Sequence, residues 1–270
     1  MFSIDMKKLV VQGIIVIGSF FLLFFLVGRA DWMNMFQIEK HTAALEDKFG
    51  DLLWESIESI EDVVEETKIL TSIDSLVDKI CEKNSIERDN IRVHVVRSGE
   101  INAFAMPGGH IVLFSNLILE AASQEELCGV LCHEIAHIEK GHVMSMMIKE
   151  IGFAAIVGMV NSGGSSGAAQ AIKLVSSTAF DRKMEREADI LAVKYMEKAN
   201  INPAPFADFL YRLAEGDPKI MSYLTWISTH PDSKERAEYI VNEISDNVSI
   251  TYGQVITEET WDTIQDALKK

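Results

Sequence analysis

Apolar residues along this chain recur at two different spacings, and the spacing separates helical from extended parts. DLLWESIESIEDVVEE (from Asp51) and SIDSLVDKI (from Ser72) carry apolar side chains every three or four positions, with acidic residues between them. That period predicts helices across residues 31–85. The period then falls to two in IRVHVV (from Ile91), INAFAM (from Ile101) and HIVLFS (from His110). The turn signals Arg97-Ser98-Gly99-Glu100 and Pro107-Gly108-Gly109 separate these runs, which predicts a small antiparallel meander. Ser123 and Glu126 stand at capping-box spacing and open a helix that stops at Gly141. From Leu127 to Ile138 it is apolar almost all round, the mark of a buried central helix.

Beyond it the chain is again helical. An apolar stretch, Ile151–Val160, meets Asn161-Ser162-Gly163-Gly164-Ser165-Ser166-Gly167, flexible by composition, and a second apolar helix follows. These arms have two readings, a plain helix–helix connection and a mobile cover that closes a site or dips into a bilayer surface. DRKMEREADILAVKYMEKAN is strongly amphipathic, Asn202-Pro203 breaks the pattern, and FADFLYRLAEG resumes it. Thr229-His230-Pro231 leads into a last helix with Asp232 and Glu235 at capping-box spacing. The fold class is therefore α+β, mostly helical, with a small antiparallel sheet beside the buried helix.

Ahead of this lies a different kind of sequence. Leu9–Val27 is nineteen residues without a charge, broken only by Gln12 and Ser19, long enough for one N-terminal transmembrane helix. A cleaved signal fits less well, because Val27-Gly28-Arg29-Ala30-Asp31 is a poor cleavage site. The expected organisation is an anchor at 1–30, a helical segment at 31–85 that packs on the catalytic unit, and a catalytic domain at 86–270. Lys7 and Lys8 precede the span and only Arg29 follows closely. This predicts a single-pass protein with a cytoplasmic N-terminus and the large domain on the extracytoplasmic, periplasmic side.

The net charge of −16 argues against a nucleic-acid partner, since phosphate binding needs a basic surface. Three cysteines, Cys81, Cys128 and Cys132, make no disulfide framework. Cys128 and Cys132 read as small buried hydrophobes on the central helix.

That helix also carries His133-Glu134-Ile135-Ala136-His137, the pattern HExxH. Residues four apart lie on one helical face, so both imidazoles project together, as two ligands of a tetrahedral zinc require. Glu134 stands beside them as a general base for water. Histidines and a glutamate inside an apolar helix are costly unless paired or bound. His142 lies half a turn away by helical geometry and is expected at the surface or helix end. A third ligand comes from the EREAD helix. Glu187 shares a solvated stripe with Lys183, Lys194 and Lys198. Glu185 shares an inward stripe with Ala192 and Met196 and is the better ligand. Asp189, one turn on, is placed to accept a hydrogen bond from a ligand histidine.

HEIAHIEKGH with EREAD about fifty residues later resembles the gluzincin family of the heat-shock protease HtpX and the CAAX prenyl endopeptidase. Asn102–Ile111 (NAFAMPGGHI) resembles that family's strand and turn before the active helix. Ser228-Thr229-His230-Pro231, with Arg236 downstream, resembles the branch containing the periplasmic β-barrel-assembly-enhancing protease and the mitochondrial inner-membrane stress protease. The likeness covers roughly residues 50–245, with its motifs in the family's order. It implies a minimal zincin holding one Zn2+ per chain and cleaving peptide bonds in membrane or envelope proteins, often for quality control. It places the metal glutamate on Glu185, and it implies that His230 approaches the metal as an extra ligand or supports the oxyanion. Arg236 is carried over as a supporting residue. The strand His110, Ile111, Val112 and Leu113 is expected to be an edge that binds substrate in extended form. The alternative is a zinc-bound chaperone-like or binding module with little proteolysis.

Overall fold

The computed structural model describes residues 38–163, 165–215, 226–244 and 251–269, so the predicted span Leu9–Val27 lies outside the described residues. Its helices are α1 (Ile38–Glu58), α2 (Thr67–Asn84), α3 (Ser115–Glu120), α4 (Gln124–Glu139), α5 (His142–Ile151), α6 (Phe153–Ser162) and α7 (Ser165–Ser177). They continue with α8 (Arg182–Lys198), α9 (Ala204–Glu215), α10 (Trp226–Thr229), α11 (Ser233–Glu243) and α12 (Glu258–Leu268). The strands are β1 (Arg92–Val96), β2 (Ala103–Met106) and β3 (His110–Phe114). Residues from Leu45 onward form one compact unit. The chain is mostly helical with one small sheet, as its periodicity predicts.

The sheet corrects the predicted meander. Its order is β1-β3-β2, with β2 antiparallel to β3 but β1 parallel to β3, so it is mixed. The reason lies in burial. Ile111 and Leu113 join one core while Val112 joins the other, so β3 is buried on both faces and takes the centre. β1 is half exposed over Arg92–His94 and lies at an edge. The β2–β3 turn runs through Gly108 and Gly109 at φ 70° and 75°, and a side chain on Gly109 would collide with the Asn90 carbonyl.

Two cores flank the sheet. One joins α2, α4, α8, α9 and α12 to Ile111 and Leu113, and the other joins α1 and the α5–α7 region to Phe104, Met106 and Val112. Helix α1 ends at Glu58, before the predicted Asp62-Val63-Val64 segment. Val63 instead bridges Val96, and Val64 N–H bonds the Val95 carbonyl. The β-branched pair Val63-Val64 covers part of the β1 edge, an extended role that suits it better than a helix.

Among the described residues no single helix is long and apolar enough to cross a membrane. The pair α5 and α6, bent by 95°, passes that test together. The Ser123 cap forms, with its hydroxyl accepting from Glu126 N–H. The predicted cap at Asp232 does not, because Asp232 adopts φ 62° and its carboxylate pairs with Arg182 at 3.0 Å. Cys81, Cys128 and Cys132 are free and buried.

Candidate metal centre

Three separate stretches of chain build the site. Helix α4 supplies His133, Glu134 and His137 from its most buried turns, and none of the three side chains is exposed. Helix α8 is capped by Asp181, whose carboxylate accepts from Lys183 and Met184 N–H, both at 3.0 Å. That cap fixes the first turn, which carries Glu185 inward. The third stretch is the end of α10, where His230 N–H bonds the Trp226 carbonyl at 2.9 Å and the indole of Trp226 stacks on the imidazole.

One ligand atom each from His133, His137, Glu185 and His230 lies within 4.8 Å of all the others. His133 Nε2 faces His137 Nε2 at 3.0 Å and His230 Nδ1 at 3.2 Å. Glu185 Oε1 lies 3.3 Å from His137 Nε2 and 2.9 Å from His230 Nδ1.

The donor set fits a divalent metal. Three imidazole nitrogens converge where their lone pairs lack enough protons to satisfy one another, and a shared cation resolves that. Glu185 Oε2, Glu134 Oε1 and His230 Nε2 are buried without a hydrogen-bond partner. Arg236 Nη1 lies 2.9 Å from Glu185 Oε2 but outside hydrogen-bonding geometry. Around the cluster stand three buried carboxylates, Glu134, Glu185 and Asp189, and one buried guanidinium, Arg236. That formal excess of two negative charges matches a divalent ion.

A polar frame holds these groups. Asp189 Oδ1 lies 2.9 Å from His133 Nδ1, which leaves Nε2 facing the cluster. Arg236 donates to both oxygens of Asp189, at 2.8 and 2.7 Å, and to the His230 carbonyl at 3.2 Å. Tyr239 donates its hydroxyl to Asp189 as well. Burial opposes the charge on Asp189, yet Arg236 and His133 outweigh it and hold the carboxyl well below the usual range. Burial likewise pushes Glu185 up, but His230, Arg236 and His133 bring it well down. Burial would lower His230, and the carboxylates of Glu185 and Glu134 raise it instead. His137 is driven well below an ordinary imidazole, chiefly by burial.

Glu134 is tied to the sheet. Its Oε2 accepts from Ala105 N–H at 2.9 Å, while Oε1 lies 3.4 Å from His230 Nε2. The Phe114 N–H bonds the Asn102 carbonyl, so by alternation Ala103 and Ala105 turn their amides away from β3. The outward edge of the sheet near α4 is therefore β2. This corrects the expectation for His110, Ile111, Val112 and Leu113. They form the central strand, paired on both sides and at most 2% exposed, with no free edge to offer. His110 bonds His94 at 2.8 Å and Asp51 at 3.2 Å instead.

His142 is also corrected. It is buried rather than at the surface, and its Nδ1 lies 3.1 Å from His137 Nδ1. Helix α4 ends at Glu139, and Gly141 at φ 63° turns the chain, so helical extrapolation past the break placed His142 wrongly. Periodicity also gave no sign of Phe180, whose ring stacks on His137 with centroids 4.0 Å apart, or of Tyr239. Phe180 belongs to the same core as Ile156 on α6 and Ala168, Ala171 and Val175 on α7.

Much of the chain is similar to known proteins. The profile of peptidase family M48 matches residues 69–244. The chain is 26% identical over 209 residues to a putative beta-barrel assembly-enhancing protease of Vibrio cholerae, covering 70% of this chain and 43% of that protein. It is 28% identical over 178 residues to the mitochondrial metalloendopeptidase OMA1 of Schizosaccharomyces pombe, covering 64% and 52%. To the metalloprotease LoiP of Escherichia coli it is 30% identical over 170 residues, covering 60% and 66%. The chain thus spans about half the length of the curated relatives it matches.

Proposed function

This chain belongs to peptidase family M48, and from that premise we propose that it is a zinc-dependent endopeptidase that hydrolyses peptide bonds in membrane or envelope proteins. The observation that carries the reading is the convergence of His133, His137, Glu185 and His230 beside the unpartnered oxygen of Glu134.

His133, His137 and Glu185 would hold the metal, with His230 as an additional candidate ligand. When bound, zinc supplies a water nucleophile at neutral pH and Lewis acidity toward a carbonyl. Glu134 takes a proton from the attacking water through Oε1 and passes it to the leaving amine. Asp189 holds His133 in the tautomer that presents Nε2, and Arg236 holds Asp189. His230, whose Nε2 has no hydrogen-bond partner, would donate from that nitrogen to the developing oxyanion. The substrate lies extended along β2, where the amides of Ala103 and Ala105 read backbone more than side chains. Because the ligands are buried and the ring of Phe180 lies against His137 and His230, catalysis requires Phe180 to move aside.

The apolar run Leu9–Val27 supports a membrane anchor, and with it an extracytoplasmic catalytic domain that serves protein quality control. Burial of the site favours a second reading, a metal-bound chaperone-like module with little proteolysis. Zinc content and casein digestion, measured with and without chelator, separate the two. One zinc per chain with chelator-sensitive cleavage supports the peptidase. One zinc with no cleavage, even of short peptides, supports the binding module.

A further inference from the structure

The two metal-facing histidines of α4 are supported unequally. His133 has a buried carboxylate against its outer nitrogen, Asp189 at 2.9 Å. Among the described residues, no carboxylate pairs with the outer nitrogen of His137. Its Nδ1 faces His142 Nδ1 at 3.1 Å, with the rings inclined at 70°. His142 Nε2 lies in turn 3.7 Å from Glu187 Oε2, and Glu187 Oε1 pairs with Lys140 Nζ at 3.1 Å. His142 is 5% exposed, whereas Glu187 and Lys140 reach solvent.

The protons on this line are fixed by one requirement. If His137 gives the lone pair of Nε2 to a metal, its Nδ1 carries hydrogen and donates. His142 Nδ1 must then accept, so the His142 hydrogen sits on Nε2, directed toward Glu187. At 3.7 Å Glu187 is an electrostatic partner for that hydrogen rather than a direct hydrogen-bond acceptor. The left-handed turn at Gly141 makes this possible. It restarts the helix at His142 and swings that ring back over α4, where an unbroken helix would have carried it to the far side.

We propose that His142 is a positioning residue for the metal ligand His137, held by Glu187 and Lys140, so that one metal ligand is steered from the protein surface. The inference rests on the metallopeptidase reading. It gives the site two supports of different kinds, a buried anion behind His133 and a surface-linked imidazole behind His137. Supports of this type typically change metal affinity by roughly 10- to 100-fold.

The test uses the full chain loaded with zinc, and separately with cobalt(II) as a spectroscopic probe. His142→Phe keeps the bulk and removes the acceptor. Zinc should then bind more weakly, by about 10-fold or more judged by transfer to a chromogenic chelator, and the cobalt absorption bands should shift. His142→Asn places an oxygen near the position of Nδ1, and zinc retention should return to within about threefold of the unaltered chain. Glu187→Gln changes a side chain that reaches solvent, outside the core. It should weaken zinc retention by about threefold, and it decides the matter if His142→Phe does not fold. The proposal is overturned if His142→Phe holds zinc as tightly as the unaltered chain with unchanged cobalt bands, or if the Asn variant is as weak as Phe. It is also overturned if Glu187→Gln leaves retention unchanged. An unaltered chain that takes up no metal overturns the metallopeptidase reading itself, and this inference with it.

Discussion

The ring of Phe180 lies flat on the imidazole of His137, with centroids 4.0 Å apart and planes inclined at 29°. The same ring stacks on His230 at 5.8 Å, and Phe180 N–H bonds the Thr229 carbonyl. One aromatic residue therefore lies against two of the four clustered side chains and ties the start of α8 to the His230 turn. Phe180→Ala should raise the cleavage rate of a short peptide several-fold while lowering stability by about 3 kcal/mol, the usual cost of truncating a buried phenylalanine. Peptide turnover and thermal unfolding on one preparation check both. An unchanged or lower rate at full metal occupancy would mean that Phe180 does not guard the site.

Glu134→Gln should retain one zinc per chain, because Glu134 is outside the set that holds it. Turnover should fall roughly 10²- to 10⁴-fold, the range lost with a general base. Metal analysis and peptide cleavage check the prediction, and an active variant removes Glu134 from the mechanism.

Arg236→Met leaves Asp189 and Glu185 buried without their cation. Breaking such a pair from one side costs about 3–5 kcal/mol. The loss should be largest without metal, since a bound divalent ion offsets the same negative charge. Free zinc at a hundred times its dissociation constant contributes about 2.7 kcal/mol to the folded state. Melting temperatures of both proteins with and without chelator test this. The variant should gain more from zinc than the unaltered chain, and an equal gain would contradict the charge balance drawn for the site.

His94 sets an acid limit on stability that is separate from catalysis. Burial, then His110 and Arg92, lower its pKa to about 3 from the ordinary 6.5. The unfolded chain takes up a proton below 6.5, while the folded chain resists until about 3. This contribution is therefore complete above 6.5 and is lost as pH falls through the interval, at most about 1.4 kcal/mol per pH unit. Urea unfolding at pH 7 and pH 5 should show a smaller acid loss in His94→Gln than in the unaltered chain. Equal losses would show that His94 takes up its proton in the folded state.

The parts of the site that follow a period were readable from the chain. His133 and His137 share a face because α4 is regular through both, and Glu185 was separable from Glu187 because α8 has one dry stripe and one wet one. What escaped lies where the period breaks. His142 follows a left-handed glycine, and Phe180 precedes a cap. Gly141 between two apolar helical runs was the available signal that extrapolation should stop there. The sheet misled for another reason. Alternation tells which residues share a face but not which strand is central, and the signature of β3, apolar on both faces from Ile111 to Leu113, was the clue to its place.

The bond from Ala105 N–H to Glu134 has a last consequence. A peptide that added to β2 would compete for that amide, so seating it there would free Glu134 Oε2 from the sheet. Until then Oε2 stays tied to the sheet while Oε1 has no hydrogen-bond partner, so β2 holds the carboxylate in one orientation with its second oxygen turned to the clustered histidines.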